Sequence, residues 1–430
     1  MEYLVLLNDI STTDKALLVV IDPKDRWEAD ANTEELRELV DSAGIEIADE
    51  MHIRRDDPDP RFYIGKGNAE EAYLRATDSD ASVVIIGEDL SPTQQRNVGD
   101  ATKCEVIDRT QLILDIFAQR ARTSEGNLQV ELAQLQYLLP RLTGQGTSMS
   151  RIGGGSAGGI ATRGPGETKL ETDRRRVRKR ISVLRDELDE VVQHRKVQKR
   201  SRRKLMVPNA SLVGYTSAGK STLMNLLAGT DVSANARLFE TLDPTTRRVD
   251  MEGQCSIILS DTVGFLRKLP HGLIAAFRAT LEEVVDADFL IHVVDVAHPF
   301  FKQQYVAVIE VLAELDIEDK PIITVFNKSD LVKDQYELRR MVAEIPDSCY
   351  MSAGTGDGVK YLHRLLCKVI GEMMNRIEAL LPYDRGDLLA MCHDRGRVLA
   401  QEYLPEGVRI EVELSPDLAD RIKAFEIQES

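Results

Sequence analysis

The central part of the chain reads Gly214-Tyr215-Thr216-Ser217-Ala218-Gly219-Lys220-Ser221-Thr222. It has the GxxxxGK[ST] spacing of a P-loop and lies between an apolar run, residues 211–213, and a run typical of a helix, residues 222–228. Glycines in such a loop let backbone N–H groups curl around the α- and β-phosphates of a nucleotide. We expect all of 214–222 to contact the nucleotide, with Lys220 at the β- and γ-phosphate oxygens and Ser221 on Mg²⁺.

A second element follows a predicted strand over residues 256–260 and reads Asp261-Thr262-Val263-Gly264. These four residues are expected to line the same nucleotide, with Asp261 holding Mg²⁺ through water and the Gly264 N–H contacting the γ-phosphate. Between the two elements, the segment Thr241-Leu242-Asp243-Pro244-Thr245-Thr246-Arg247 offers several threonines for Mg²⁺ and the γ-phosphate. We choose Thr246 for this role, and Thr245 remains possible. The predicted catalytic set is Lys220, Thr246 and Gly264.

The base is predicted to be read by two further elements. Residues 321–326 form an apolar run that ends in Asn327-Lys328-Ser329-Asp330. The Asp330 carboxylate can accept the N1–H and 2-amino protons of guanine, which adenine lacks, while Asn327 supports the loop and the stem of Lys328 covers the ring. Farther on, Ser352-Ala353-Gly354 is expected to present backbone N–H groups to guanine O6.

The order of the four elements decides the class of protein. A P-loop followed by DxxG and then by NKxD predicts a GTPase that uses Mg²⁺ and binds GTP and GDP, because each motif has its partner at the expected place. The same order excludes a circularly permuted GTPase, in which NKxD precedes the P-loop.

Length and composition indicate what kind of protein contains this domain. The chain has 430 residues, 43% of them hydrophobic, which is enough for about three domains with buried cores. No apolar run approaches the roughly 20 residues of a membrane span, and the N-terminus has no signal-peptide pattern. The five cysteines form no CxxC pair, which favours reduced thiols. We therefore expect a cytoplasmic protein, acting as a monomer, with no stable membrane insertion.

Charge is distributed unevenly along the chain. The net charge is −16, yet residues 174–204 contain 14 Lys or Arg against 4 Asp or Glu, so the remainder carries −26. Acidic residues are missing from residues 174–180, and we interpret this run as a surface for an anionic partner, although a solvated charged face is the alternative.

The basic run lies on one of two segments with a coiled-coil period. Spacings of 4, 3, 4 and 3 predict one apolar seam on each segment and an antiparallel helical hairpin, whose second helix, residues 167–205, is about 57 Å long. The seam positions are Leu128, Leu132, Leu135, Leu139, Leu142, Val177, Ile181, Leu184, Leu188 and Val191. Residues 144–166 between the helices contain nine glycines, so we interpret them as a functional loop rather than a passive linker.

The flanking regions complete a four-part division. Residues 1–115 alternate strand and helix patterns, residues 116–206 form the hairpin, residues 207–373 the GTPase domain and residues 374–430 a small α/β domain. The fold class is thus multidomain α/β with a mostly parallel P-loop GTPase sheet. In the first domain, the turn Gly65-Lys66-Gly67 could touch a phosphate, but we favour an ordinary turn that opens a helix over residues 68–75.

Longer blocks resemble one family. The chain is similar to the HflX family of ribosome-associated GTPases in the TRAFAC class. The similarity rests on Val106-Ile107-Asp108-Arg109-Thr110-Gln111-Leu112-Ile113-Leu114, Gln129-Val130-Glu131-Leu132-Ala133-Gln134-Leu135, the segment from Gly164 to Arg176, the P-loop and residues 242–247. It extends over about residues 60–370. Phe265 follows DxxG where Ras-like proteins carry a water-orienting Gln, and Ser217 replaces the Asn of many potassium-stimulated relatives.

The resemblance implies a factor that binds the large ribosomal subunit and its rRNA. It further implies that the factor places the glycine loop near the peptidyl-transferase centre and dissociates stalled or idle ribosomes, notably in heat stress. Hydrolysis of ATP by the N-terminal region is also implied, whereas residues 1–110 contain no independent ATP motif. The alternative function is a GTP-dependent RNA-binding ribosome-assembly factor. A regulatory GTPase of a membrane complex is not supported, because no membrane-binding helix or lipidation motif is present.

Overall fold

The computed structural model describes residues 15–23, 26–54, 57–142, 165–203, 207–229, 245–251, 255–267, 283–315, 317, 319–414 and 416–427. Described residues up to Val192 form one compact unit and those from Gln193 onward form a second, so each unit is treated by itself. Most of the predicted glycine loop, residues 144–164, and the first part of the predicted switch segment, residues 241–244, lie outside the described residues. The four-part division of the chain stays a prediction.

The first unit contains a four-stranded sheet in the order β2-β1-β3-β4, in which all neighbouring strands are parallel. Alternating strand and helix patterns predicted this arrangement. Its elements are β1 (Lys15–Asp22), α1 (Arg26–Ala43), β2 (Glu46–Arg54), α2 (Lys66–Asp78), β3 (Val83–Ile86), α3 (Pro92–Thr102), β4 (Glu105–Asp108), α4 (Arg109–Arg120), α5 (Ser124–Arg141) and, up to Val192, α6 (Pro165–Arg203). Gly65, with φ of 85°, precedes α2, so the glycine turn does open a helix.

Helices α5 and α6 pack along the predicted seams. Buried leucines of α5 and Leu142 contact Val177, Ile181 and Leu184 of α6. Helix α6 has 39 residues and is therefore about 58 Å long at 1.5 Å per residue. Arg180 forms two hydrogen bonds to Glu131 of α5, both 2.7 Å, so the absence of acidic residues within the basic run does not leave the whole run unpaired. Exposed ion pairs of 3.5–3.9 Å also join Arg174, Arg176 and Arg178 to Glu171 or Asp173.

A buried polar network connects α5 to the sheet of the first unit. Asp108, fully buried at the end of β4, accepts a hydrogen bond from Gln111 N–H at the start of α4. It also accepts a 2.8 Å hydrogen bond from Arg141, whose guanidinium contacts the ring of Tyr137 at 3.4 Å. Arg141 donates further to Gln95 and to the carbonyl of Leu90. The block from Val106 to Leu114, which carried part of the family resemblance, thus supplies Asp108 and Gln111 to this network.

The second unit contains a six-stranded sheet in the order β10-β9-β8-β5-β7-β6, which is parallel except for β6. Its elements are β5 (Asn209–Gly214), α7 (Lys220–Ala228), β6 (Thr245–Met251), β7 (Cys255–Asp261), β8 (Phe289–Asp295), α8 (Phe301–Glu314), β9 (Ile322–Asn327), α9 (Gln335–Glu344), β10 (Ser348–Tyr350) and α10 (Val359–Glu372). This is the P-loop GTPase fold, as predicted.

The same unit ends in a three-stranded antiparallel sheet in the order β11-β13-β12. One face packs on two helices around a core that includes Ile410, Val412 and Leu414. The elements are β11 (Asn375–Leu381), α11 (Gly386–Arg395), β12 (Arg397–Leu404), β13 (Gly407–Leu414) and α12 (Pro416–Ile422). Among the described residues of the whole chain, no helix is long and apolar enough to cross a membrane.

Candidate functional site

The P-loop connects β5 to α7 and is closely surrounded by neighbouring strands. Gly214 has φ of +154° and Gly219 has φ of +93°, values that favour glycine. A Cβ at Gly214 would overlap the carbonyl of Val293, and a Cβ at Gly219 would overlap the Asn327 side chain. The loop therefore fits only with glycine at these two positions, and α7 begins directly after it at Lys220.

Lys220 is buried inside this loop. Its Nζ donates to the carbonyl oxygens of Gly214 and Tyr215, at 3.1 and 2.8 Å. Burial lowers the pKa of Lys220 to about 8, and the nearby Asp261 carboxylate opposes this shift. The two carbonyls thus hold the ammonium at the inner face of the loop, where a P-loop lysine is needed for phosphate contact.

Ser221 and Asp261 meet because β5 and β7 are parallel neighbours whose carboxyl ends lie at the same edge. The hydroxyl of Ser221 donates to Asp261 Oδ2 at 2.6 Å. A hydroxyl and a carboxylate are hard oxygen ligands of the type that Mg²⁺ prefers. The donor set therefore fits the predicted metal.

The segment after Asp261 is attached to the P-loop. The Thr262 hydroxyl donates to the carbonyl of Leu212 at 2.6 Å. Phe265 N–H donates to the Gly214 carbonyl at 3.0 Å, and Thr216 N–H donates to the Phe265 carbonyl at 2.9 Å. A Cβ at Gly264 would lie 2.8 Å from Thr216 Cα and 3.0 Å from Lys220 Nζ. Glycine is thus required at position 264 for the two loops to approach.

The Phe265 side chain is buried, with 2% of its surface exposed. The contact between the P-loop and this segment continues beyond Phe265, because the Tyr215 hydroxyl accepts a 3.0 Å hydrogen bond from Arg267 N–H. Val263 is half-buried. Phe265 therefore packs in the protein interior and offers no polar group for orienting water.

Asn327 connects the P-loop to the last predicted element. Its Nδ2 donates to the Ala218 carbonyl at 2.8 Å, and its Oδ1 accepts from Ala353 N–H at 2.9 Å. Ser352 N–H donates to the carbonyl of Asp357. Two of the three predicted O6 donors, the N–H groups of Ser352 and Ala353, thus already donate to protein oxygens, and Gly354 is exposed.

Lys328 and Asp330 follow Asn327 in a short turn. Lys328 has φ of 62° and its Nζ lies 2.5 Å from Asp295 Oδ2, which holds its aliphatic stem in a fixed position. Asp330 lies in the 3₁₀ helix Ser329–Leu331 and is exposed. The carboxylate of Asp330 is thus accessible at the same end of the sheet as the P-loop, since both follow carboxyl ends of parallel strands.

The switch threonines lie in a strand that the sequence did not predict. Thr245 and Thr246 begin β6, where Thr245 pairs with Asp261 and Thr246 pairs with Ser260. The Thr246 hydroxyl lies 3.2 Å from Ser260 Oγ. Since paired residues of antiparallel strands share a sheet face, Thr245 shares the face of Asp261 here and Thr246 does not.

Sequence reasoning also missed His292, which lies in β8 within an apolar run. It is buried and stacks on Tyr305 with 4.9 Å between ring centroids, and burial lowers its pKa to about 3. A neutral imidazole therefore lies beneath the site, close enough for the Lys220 charge to lower its pKa further. His292 is the single polar residue in the apolar run 289–294, and this was the sequence signal that could have revealed it.

Comparison with known proteins agrees with this geometry. Three family models match, described as GTP-binding GTPase N-terminal over residues 30–118, GTP-binding GTPase Middle Region over 120–202, and 50S ribosome-binding GTPase over 209–328. The chain is 43% identical to GTPase HflX of Lacrimispora saccharolytica over 416 residues, covering 96% of this chain and 97% of the relative. It is 41% identical to GTPase HflX of Escherichia coli K12 over 395 residues, covering 91% and 92%.

Among solved structures, the complex of SsGBP with GDP is 25% identical and covers 83% of this chain and 98% of that chain, with a TM-score of 0.48. The sequence matches over nearly the full chain, together with the phosphate and base elements of the second unit, define the family. The chain therefore belongs to the HflX family of GTPases, and it binds and hydrolyses GTP.

Proposed function

We propose that this GTPase binds the large ribosomal subunit through rRNA and dissociates stalled or idle ribosomes, including in heat stress. The observation that carries the proposal is that the basic surface and the nucleotide elements lie on different parts of the chain. Helix α6 buries its apolar seam on α5 and exposes basic side chains, while the nucleotide elements are assembled in the second unit. The matching family model described as a 50S ribosome-binding GTPase supports the choice of partner.

The exposed side of α6 fits an RNA backbone. Arg175 and Lys179 are exposed and have no ion pair within the described part of the chain. The surface pairs of Arg176 and Arg178 are 3.8 and 3.5 Å long, and such pairs contribute little, so RNA phosphates compete with them effectively. Neutralised phosphates release counterions, which makes binding salt-dependent.

The site residues take the roles that their motifs predict. Lys220 and N–H groups of the loop 214–222 other than that of Thr216 hold the phosphates, and Asp330 reads guanine, with Asn327 and Lys328 supporting it. Ser221, Asp261 and a switch threonine would hold Mg²⁺, which when bound neutralises charge on the β- and γ-phosphates. Gly264 would contact the γ-phosphate.

The switch threonine has two candidates. If Thr246 is the ligand, the first residue pairs between β6 and β7 have to separate, because its hydroxyl lies on the face of Ser260. Thr245 needs no such opening. Replacing each by Ala and measuring hydrolysis separates them: loss of hydrolysis with Thr246→Ala alone supports our choice, and loss with Thr245→Ala alone assigns the role to Thr245.

Co-sedimentation tests the function. The full chain is mixed with 70S ribosomes or large subunits in GTP, GDP or a nonhydrolysable analogue, and gradients record both binding and dissociation into subunits, before and after heat treatment. We expect binding and splitting in the GTP state and weaker binding with GDP.

The double variant Arg175→Gln/Lys179→Gln should bind less tightly, whereas Arg421→Gln, which replaces an exposed arginine of α12, should not.

Three outcomes contradict the proposal. Binding that is equal in all nucleotide states removes the role of GTP. Binding to precursor particles, but not to mature subunits, replaces it with the assembly-factor function. Splitting that is unaffected by the double variant of α6 removes the role of the basic helix.

A further inference from the structure

A cleft of about 650 Å³ lies within the second unit along β6, the edge strand of the six-stranded sheet. Its walls are formed by β6 and β7, by the end of α10, and by the turn between α11 and β12. The volume is typical of sites for small molecules. Thr246 and Arg247 of the predicted switch segment also line this cleft, whereas no residue of the P-loop, of Asp261–Gly264 or of the base-reading elements does.

Positive charge dominates its lining. The cleft is lined by four arginines, Arg247, Arg248, Arg395 and Arg397, and by two carboxylates, those of Asp394 and Glu413. We call this site the cationic cleft. Such an excess is unusual in a chain of net charge −16, because most of its surface repels anions.

The arginines differ in their availability. Arg248 is paired with Asp250 at 2.9 Å, and Arg397 lies 3.4 Å from Glu413. Arg395 is exposed and has no ion pair among the described residues. Arginine binds phosphate oxygens through two parallel N–H groups, so Arg395 is the side chain best placed to hold a phosphate.

The fold brings Arg395 and Arg397 to the cleft through the glycine between them. A Cβ at Gly396 would lie 2.7 Å from Val412 Cγ2 and 2.9 Å from the Cys392 carbonyl. Only glycine lets the turn lie this close to the sheet. The backbone of this turn therefore places the two flanking arginines in the lining of the cleft.

Part of the lining is apolar. Ile258 of β7, Ile370 of α10 and Met374 belong to it, and Ile370 is buried. Apolar side chains of this kind accept the face of a planar ring, and the arginines accept a phosphate. The cleft thus has the two halves that a nucleotide-sized phosphate ester requires.

We propose that the cationic cleft is a second ligand site, which binds a free phosphate ester of nucleoside monophosphate size with its phosphate on Arg395 and Arg397 and its ring on Ile370 and Met374. This site is independent of the proposed ribosomal function. A nucleotide within an RNA strand carries the same groups, and the experiment distinguishes the two sources.

The probe is AMP, added to the full chain saturated with GDP and Mg²⁺ so that the guanine site is filled. Binding is measured by calorimetry. We expect saturable binding of one AMP, weakened about tenfold or more by Arg395→Gln, which removes one charged phosphate contact. Arg421→Gln removes an exposed arginine outside the cleft and should leave binding unchanged.

A steric variant gives an independent test without changing charge. Gly371 lines the cleft near the end of α10, and a Cβ built there meets no atom within 4 Å. Gly371→Leu should therefore fill the cleft and abolish AMP binding with the helix intact, whereas Gly371→Ala should retain most of it. Thermal unfolding of both variants confirms that they are folded.

The proposal is overturned if AMP does not bind to the GDP-saturated chain. It is equally overturned if AMP binds but both Arg395→Gln and Gly371→Leu retain the affinity of the unaltered chain, since the ligand then lies elsewhere. Binding of an adenine oligonucleotide with no binding of AMP would assign the cleft to RNA strands instead.

Discussion

Lys220 links the nucleotide site to pH through its burial. Because its pKa in the folded chain is about 8, below the ordinary 10.5, the unfolded state holds the proton more tightly. This lysine therefore makes the chain more stable as the pH rises from about 8 to 10.5. Lys220→Met should flatten that rise, measured as the free energy of unfolding of nucleotide-free protein across this range. Identical pH slopes in the two proteins would show that Lys220 is not buried in solution.

Asp330 is predicted to select the base. Asp330→Asn replaces a carboxylate that accepts two guanine protons by an amide, so affinity for GTP should fall about tenfold or more while xanthine nucleotides gain. Competition binding with both nucleotides measures the change. Asp384→Asn, an exposed carboxylate of the small antiparallel sheet region, is the charge-matched control. Unchanged GTP affinity in Asp330→Asn would rule out this role.

At the scale of secondary-structure elements, Asp108 joins three of them. It terminates β4, caps α4 and pairs with Arg141 of α5. Asp108→Asn leaves the Arg141 guanidinium without its carboxylate partner, and breaking a buried pair costs about 3–5 kcal/mol. We expect a destabilised first unit, seen in thermal unfolding, with GTP affinity unchanged. A variant as stable as the unaltered chain would mean that the network contributes specificity but not stability.

The glycine loop between α5 and α6 is predicted to be the part that enters the ribosome. Shortening residues 144–164, without touching α6, should impair ribosome splitting and leave GTP binding intact, because the nucleotide elements lie in another unit. Glycines let a loop follow a narrow RNA-lined cavity without side-chain clashes. Gradients and nucleotide titrations of the shortened chain measure both. Splitting at the unaltered rate would return the segment to the passive-linker interpretation.

For the whole molecule, hydrolysis should depend on the partner. Phe265 is buried against the P-loop, and its side chain offers no polar atom that could orient the attacking water. We expect slow turnover alone and stimulation by large subunits, measured as phosphate release. The stimulation should fall as salt rises, because the basic helix competes with counterions for RNA. Fast turnover that large subunits do not increase contradicts this prediction.

The sequence predicted those features that depend on local spacing. Residues 214–221 and 327–330 each follow a predicted strand, and the structure confirms these strands and the P-loop GTPase fold. The sequence alone did not predict contacts between residues that are far apart in the chain. Nothing in the sequence indicates that Arg180 pairs with Glu131, or that Arg395 lies beside β6, because both depend on how helices and strands pack. Strand β6 was missed since its residues, Thr245-Thr246-Arg247-Arg248, are polar and belong to an edge.

The pair of backbone hydrogen bonds between Thr216 and the Phe265 segment has a consequence for hydrogen exchange. The amide protons of Thr216 and Phe265 are both donated across the two loops, so neither can exchange with solvent unless the loops come apart. Their deuterium uptake therefore reports how often the P-loop separates from the Phe265 segment, which is predicted to contact the γ-phosphate. If GTP holds that loop closed and GDP releases it, the hydrogen-exchange rates of the two amides differ between the GTP-bound and GDP-bound states.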